Sequence, residues 1–440
     1  LNFSHPLKFG QNYNKNPKLP RMVLYKLFLF LYPKIASILA LFNQKAKHWC
    51  IGQKQVWGEI QKAKAKIDQP IVWIHAASYG EFEQGLPIIE AIRSNYSSYK
   101  IWLTFFSPSG YLHRKNDPAV DVVTYIPLDG PDAAKQFIET VQPSLIVFIK
   151  YEFWYYYLKV AKEKSIPTVL VAAIFRADQI FFKWYGGLYK KILQHFNYVL
   201  VQDNTSKQLI ETIYPSNQIF ITGDTRFDRV VSTAQNKQAF DWMNNLSNDP
   251  TIIAGSTWDS DHAILSKVIE PLHCNWIIVP HHVDAKSIEA ALTIHPNAIT
   301  LTDWENTIAK APNQQNTPSV IIVDRIGILR SLYQYATISY TGGGFTKDGI
   351  HNVLEPAAFG VPVIWGPNDE KYREAIGLRN AGGGMKIQDA STLKQAINSL
   401  LSNESLLKEM GSKAANYVRD HSGATNATLS ILQEKRLLTN

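Results

Sequence analysis

Along most of the chain, short continuous apolar runs alternate with stretches whose apolar positions recur at helical spacing. Runs at residues 71–76 (IVWIHA), 100–105 (KIWLTF), 120–126 (VDVVTYI), 145–149, 168–173 and 198–201 are short and largely apolar on both faces. That is the pattern of strands buried inside a parallel sheet. The segments 83–96, 133–140 and 155–163 read as helices between them. A second series follows an Asn- and Gln-rich stretch near 234–249, with strands expected at 251–255, 276–280, 298–301, 319–323, 336–340 and 362–365. Its helices are expected at 262–269, 284–292, 328–335, 352–359 and 370–380, and the chain closes with helices near 390–401 and 404–420. The alternation predicts two doubly wound α/β halves joined near residue 230.

The N-terminal edge breaks this rhythm. Residues 1–21 carry Lys8, Lys15, Lys18 and Arg21 among Asn, Pro and Gly without an apolar period, and read as a loose basic tail ahead of Met22, itself a candidate start. From Met22 to Phe42 the chain is mostly apolar, with Pro33 and Lys34 at its middle and Lys45, Lys47 and His48 beyond it. Its length reaches the ~20 residues of a bilayer span. The central lysine favours an interfacial or half-inserted anchor over a full crossing, and the following basic residues suit an anionic cytoplasmic leaflet. The expected division is a tail over 1–21, a membrane-anchor helix over 22–48, a Rossmann-like domain over 49–232 and a second over 233–440, the last helix packing back on the first domain.

Composition narrows the function classes. With 45% hydrophobic and 19% charged residues the chain is globular. Two cysteines, Cys50 and Cys274, exclude a disulfide-stapled fold, and no Cys/His array supports zinc. A formal charge of +8 suits nucleic acid, anionic lipid or a phosphorylated substrate. No basic run interleaves with aromatics, so nucleic acid is not the expected partner. Two Rossmann-like halves imply an interdomain cleft and the GT-B architecture of glycosyltransferases and related epimerases. The first strand–helix turn lacks GxGxxG, which disfavours a dinucleotide.

The chemistry is expected in the turns that follow strands. Glu81, in the turn after 71–76, is a candidate general base, or else the acid of a capping box with Ser78 as N-cap. Glu152 follows 145–149 among aromatics. Arg226 and Arg229 are available to phosphate or to local pairing with Asp224 and Asp228. In the second half Ser256 ends a strand, Pro280-His281-His282 end another, and Gly342-Gly343-Gly344 precede Asn352 and Glu355 on an expected helix. Glycine backbone N–H groups and a helix N-terminus there form a candidate phosphate cradle. Adjacent histidines point apart and do not make a metal site.

Taken in order, SYGEFE, KYEFW, TGDTRFD, GSTWDSD, VPHH, TGGGF and HNVLEPAAFGVPVIWGP resemble the 3-deoxy-D-manno-octulosonic acid (Kdo) transferases of Gram-negative bacteria, over about residues 22–425. The resemblance implies a GT-B fold and an inverting, metal-independent transfer of Kdo from CMP-Kdo to a lipid A precursor, without a cofactor, at the cytoplasmic face of the inner membrane. It implies Glu81 as general base and Glu152 as the second acid of the acceptor side. Pro280 and His281 match the segment that holds CMP, where the family often has Arg in place of His281. Ile326 and Gly327 match a cytosine loop that the family usually continues with Glu-Leu, and Ile328 stands here instead. Gly342, Gly343, Gly344, Asn352 and Glu355 match the phosphate- and ribose-binding run; Ser256 joins them, with Ser78 and Arg226 as candidate acceptor or phosphate contacts. The rival readings are another GT-B enzyme, a UDP-sugar transferase or nucleotide-sugar epimerase, and a membrane-attached binding module without catalysis.

Overall fold

The computed structural model describes residues 21–151, 153–310 and 317–439. Nearly all of the tail expected over 1–21 lies outside the described residues, and so does Glu152. The chain forms two compact units, one running to Arg229 together with the segment from Gly423, the other Val230–Ser422.

The first unit holds a seven-stranded parallel sheet: β1 (Ile71–Ala76), β2 (Lys100–Phe105), β3 (Val122–Tyr125), β4 (Pro143–Ile149), β5 (Thr168–Ala173), β6 (Tyr198–Val201) and β7 (Ile219–Ile221). They lie side by side in the order β3-β2-β1-β4-β5-β6-β7. Six of these strands were expected from the apolar runs; β7, three residues long, is too short to leave such a run. Side chains alternate across the sheet, so Trp73, Phe148 and Leu170 join one core layer and Val72, Ile74 and Val147 the other. Every residue of β1 is buried.

Ahead of the sheet, helix α1 (Arg21–Leu39) leads into α2 (Gln44–Lys64). Asn43 separates them by accepting the Ala46 N–H, a side-chain cap that starts α2. Pro33 sits inside α1 without ending it. Tyr25 docks α1 on the unit by donating to the buried Asp129 at 2.5 Å, and Asp129 also accepts the Tyr156 and Tyr157 N–H groups. The outward face of α1, including Leu24, Leu27, Phe30, Ile35 and Ile38, is exposed. The C-terminal helix Ala424–Glu434 returns to this unit through Leu429 and Leu432. Asp228 caps it, accepting the Gly423 N–H at 2.6 Å and the Thr425 N–H at 2.9 Å.

The second unit repeats the plan with β8 (Thr251–Thr257), β9 (Asn275–Pro280), β10 (Ala298–Thr300), β11 (Val320–Ile322), β12 (Ile338–Thr341), β13 (Val363–Trp365) and β14 (Gly384–Lys386). The order is β10-β11-β9-β8-β12-β13-β14, all parallel. Two helices are shorter than their sequence period suggests. The stretch 352–359 is helical only over Leu354–Ala358, and 328–335 only over Leu329–Leu332 before a 3-10 turn. Pro356 supplies no N–H, and the chain turns away at Gly360, whose φ is +74°.

Candidate functional site

Each sheet has one place where strand order reverses, and ligands of open α/β sheets bind outside the carboxyl ends of the strands there. In the first sheet that place lies between β1 and β4; in the second, between β8 and β12. The motif turns SYGEFE and KYEFW follow β1 and β4, and GSTWDSD and TGGGF follow β8 and β12.

After β1 the chain enters helix α3 (Tyr79–Asn95) with Ser78 in the N-cap position. Ser78 makes no side-chain cap bond, and Glu81 reaches past it, its Oε2 accepting the Ala77 N–H at 2.6 Å. The capping box considered for this pair is therefore not formed; the carboxylate closes the strand–helix turn one residue earlier. Glu83 belongs to an ion-pair group, with Arg114 at 2.7 Å and Arg229 at 3.9 Å.

Beneath this turn lies a network that the motifs did not reveal. The indole of Trp154 donates to Nε2 of the fully buried His75 at 3.1 Å, and His75 Nδ1 lies 2.8 Å from Thr104 Oγ1, which also receives the Trp73 indole N–H. An indole nitrogen only donates, so Nε2 must be an acceptor, and Nδ1 carries the proton toward Thr104. Burial pushes this imidazole down to about 4, against the opposing pull of Glu81. A neutral histidine thus ties the KYEFW turn to β1. Arg226 pairs with Asp224 at 2.7 Å, whereas Arg229 turns to Glu83 and Glu90, and Asp228 serves as the cap described above.

In the second unit the backbone approaches itself closely at the switch point. Ser256 adopts φ +55°, where β8 slips register against β9, and a Cβ on Gly342 would lie 2.4 Å from the Ser256 carbonyl oxygen. A Cβ on Gly343 would meet Gly349 O at 2.5 Å, and one on Gly344 would meet Gly366 N at 2.5 Å. Two of the three glycine amides are already committed: Gly342 N–H to Gly255 O, Gly343 N–H to the buried Asp261 at 2.8 Å. The glycines therefore serve close packing first. Asp261 also accepts the Tyr340 hydroxyl at 2.6 Å and the Trp258 N–H at 2.9 Å, fixing the TGGG turn to the start of the helix Asp259–Ile269. Burial raises its carboxyl while these three bonds oppose the rise.

Three separated turns then meet in an aromatic cluster. His281 stacks on Trp258 at 4.5 Å and on His351 at 4.4 Å, while the Trp258 indole donates to His351 Nε2 at 2.7 Å. Burial, with His281 and His282 nearby, pushes His351 down to about 4; burial and His282 lower His281. Pro280, at the end of β9, is buried, and the His281 N–H donates to Thr257 O. Asn352 Oδ1 accepts the Leu354 N–H, and Glu355 pairs with Arg330 at 2.9 Å. Gly327 takes φ +95°, and Ile326 beside it is 85% exposed. Among the described residues, no three His, Cys, Asp or Glu side chains are grouped to hold a metal ion.

Two parallel α/β units of this kind make a GT-B fold. The structure is similar over 83% of its length to all of the UDP-GlcNAc 2-epimerase of Neisseria meningitidis, with TM-score 0.58 and 13% identity. It is similar over 85% to all of a glycosyltransferase of Rickettsia africae, with TM-score 0.52 and 13% identity. In sequence, residues 52–229 match the family described as 3-deoxy-D-manno-octulosonic-acid transferase. The 3-deoxy-D-manno-octulosonic acid transferase of Aquifex aeolicus is 28% identical over 79% of this chain and 90% of its own. That of Haemophilus influenzae is 27% identical over 94% of this chain and 98% of its own. Along most of its length the chain is thus similar to Kdo transferases, and it is a glycosyltransferase.

Proposed function

We propose that this enzyme transfers Kdo from CMP-Kdo to a lipid A precursor in lipopolysaccharide biosynthesis, with inversion and without a metal, Glu81 acting as general base. The observation that carries the reading is the coincidence of the family motifs with the switch points of both sheets. In the first unit, Glu81 would take the proton of the acceptor hydroxyl as the new glycosidic bond forms, with Glu152 as the second acid. In the second, the Ser256 turn, Pro280, His281, the Ile326-Gly327 loop, the glycine turn, Asn352 and Glu355 would hold CMP. A departing phosphate needs only fixed donors to stabilise it. Ser78 and Arg226 would contact the acceptor or its phosphate. A neutral His281 would donate a hydrogen bond to phosphate near pH 7, where an arginine would bring charge.

Among the described residues one helix, Met22–Leu39, is long and apolar enough to cross a membrane, and only 6% of it is buried. It would hold the enzyme at the cytoplasmic face of the inner membrane, where an acidic amphiphilic acceptor resides. The test is CMP release from CMP-Kdo in the presence of lipid A precursor, for the intact protein and Glu81→Gln. A loss of ~100-fold or more, with CMP binding retained, is expected on removal of a general base. Equal rates would strip Glu81 of the role, and no release by the intact protein would refute the donor assignment.

A further inference from the structure

The turn after the helix Ile180–Phe182 carries two aromatic rings into solvent: Trp184 is 79% exposed and Tyr185 is 47% exposed. This presentation is built into the backbone. Phe181 is buried against Phe153, Phe175 and Tyr189, and the Gly186 N–H donates to Lys183 O at 2.9 Å. A Cβ on Gly186 would lie 1.9 Å from Ile180 O, so the tight return that pushes Trp184 and Tyr185 outward needs glycine. Around them stand Lys183, Lys190 and Lys191; residues 176–191 hold four cations, counting Arg176, against the single acid Asp178.

The elements flanking the turn share a core layer with α1. Phe182, Leu188 and Tyr189 pack on the same core layer as Tyr25 and Leu29 of α1. Tyr25 meets Tyr155 at 6.3 Å, and Tyr155 meets His195, just past the helix Gly187–Leu193, at 5.8 Å. Tryptophan and tyrosine favour the headgroup level of a bilayer, where an apolar ring and a polar tip are both accommodated, and lysines there meet lipid phosphates.

We infer that the Lys183–Tyr185 turn, with Lys190 and Lys191, is a second membrane contact that seats Trp184 and Tyr185 in the headgroup layer of an anionic bilayer. The inference rests on the membrane reading of α1 and deepens it. One helix fixes the distance of the first unit from the surface but leaves rotation about the helix open; a second contact on the same unit selects one orientation for the β1/β4 site over the lipid.

The test uses the full chain with Cys50→Ser and Trp184→Cys carrying an environment-sensitive fluorophore, beside a companion labelled at Ile38→Cys on α1. Both are mixed with phosphatidylethanolamine–phosphatidylglycerol vesicles and with phosphatidylcholine vesicles. The residue-184 probe is expected to shift to the blue and to be quenched by headgroup nitroxide lipid on the anionic vesicles, and less on the neutral ones. Each of Lys183, Lys190 and Lys191 replaced by Gln should weaken that contact by about fivefold. A wet probe at 184 beside a lipid-embedded probe at 38 overturns the inference and leaves the α1 reading standing. Wet probes at both positions overturn both. A blue shift without vesicles that grows with protein concentration assigns the turn to self-association and overturns the inference.

Discussion

Asp261 is the residue whose loss the structure prices most directly. Its carboxylate is fully buried and accepts three donors from three places: the Tyr340 hydroxyl, the Gly343 N–H and the Trp258 N–H. In Asp261→Ala the phenol can rotate its proton away, but the two amides are fixed by backbone and stay unsatisfied. Each such orphan costs about 1–3 kcal/mol. Removing a carboxyl that burial disfavours recovers part of this. The expected net loss is about 2–4 kcal/mol. Asp261→Asn keeps one oxygen that can accept both amides and should lose about 1 kcal/mol. The assay is urea unfolding followed by tryptophan fluorescence, read as a shift of midpoint at constant slope. The same bonds hold the TGGG turn, so CMP affinity of the alanine variant should fall about tenfold or more, equivalent to about 1.4 kcal/mol. An alanine variant within about 0.5 kcal/mol of the parent, or one less damaging than asparagine, would refute the reasoning.

Two further outcomes follow from the same geometry. Gly342→Ala should either fail to fold the second unit or lose CMP binding, since its Cβ would meet backbone at 2.4 Å and nothing flexible can yield; a soluble variant with unchanged affinity, by calorimetric titration, would contradict this. His75 has its folded value lowered from 6.5 to about 4, so it stabilises fully above the unfolded value and loses that contribution as pH falls from about 6.5 to 4. The loss amounts to about 3 kcal/mol. Urea midpoints of the parent and His75→Asn should therefore converge on acidification, and parallel curves would exclude the buried neutral histidine.

Much of this protein was legible before folding. The strands announce themselves because a parallel sheet covered on both faces needs apolar residues at consecutive positions, and 71–76 or 276–280 have little other use. The glycine turn, the acid after the first strand and the apolar helix were equally visible, because each is a local departure from its surroundings. What the sequence left open is non-local. That β1 lies beside β4 and β8 beside β12 follows from crossover connections, and only that order brings motifs some seventy to ninety residues apart to one sheet edge. The role of the glycines was likewise open: a run of three reads as an anion cradle, and only the approach of Ser256, Gly349 and Gly366 makes it a packing requirement. Asp261, Trp258, His351 and the pair His75–Trp154 gave no separate signal, since a hydrogen bond across 79 or 93 residues imposes no period on the chain. Local periodicity determined the elements and marked the turns. Tertiary structure alone decided which turns meet, which donors are left over, and which side chains hold the site in shape.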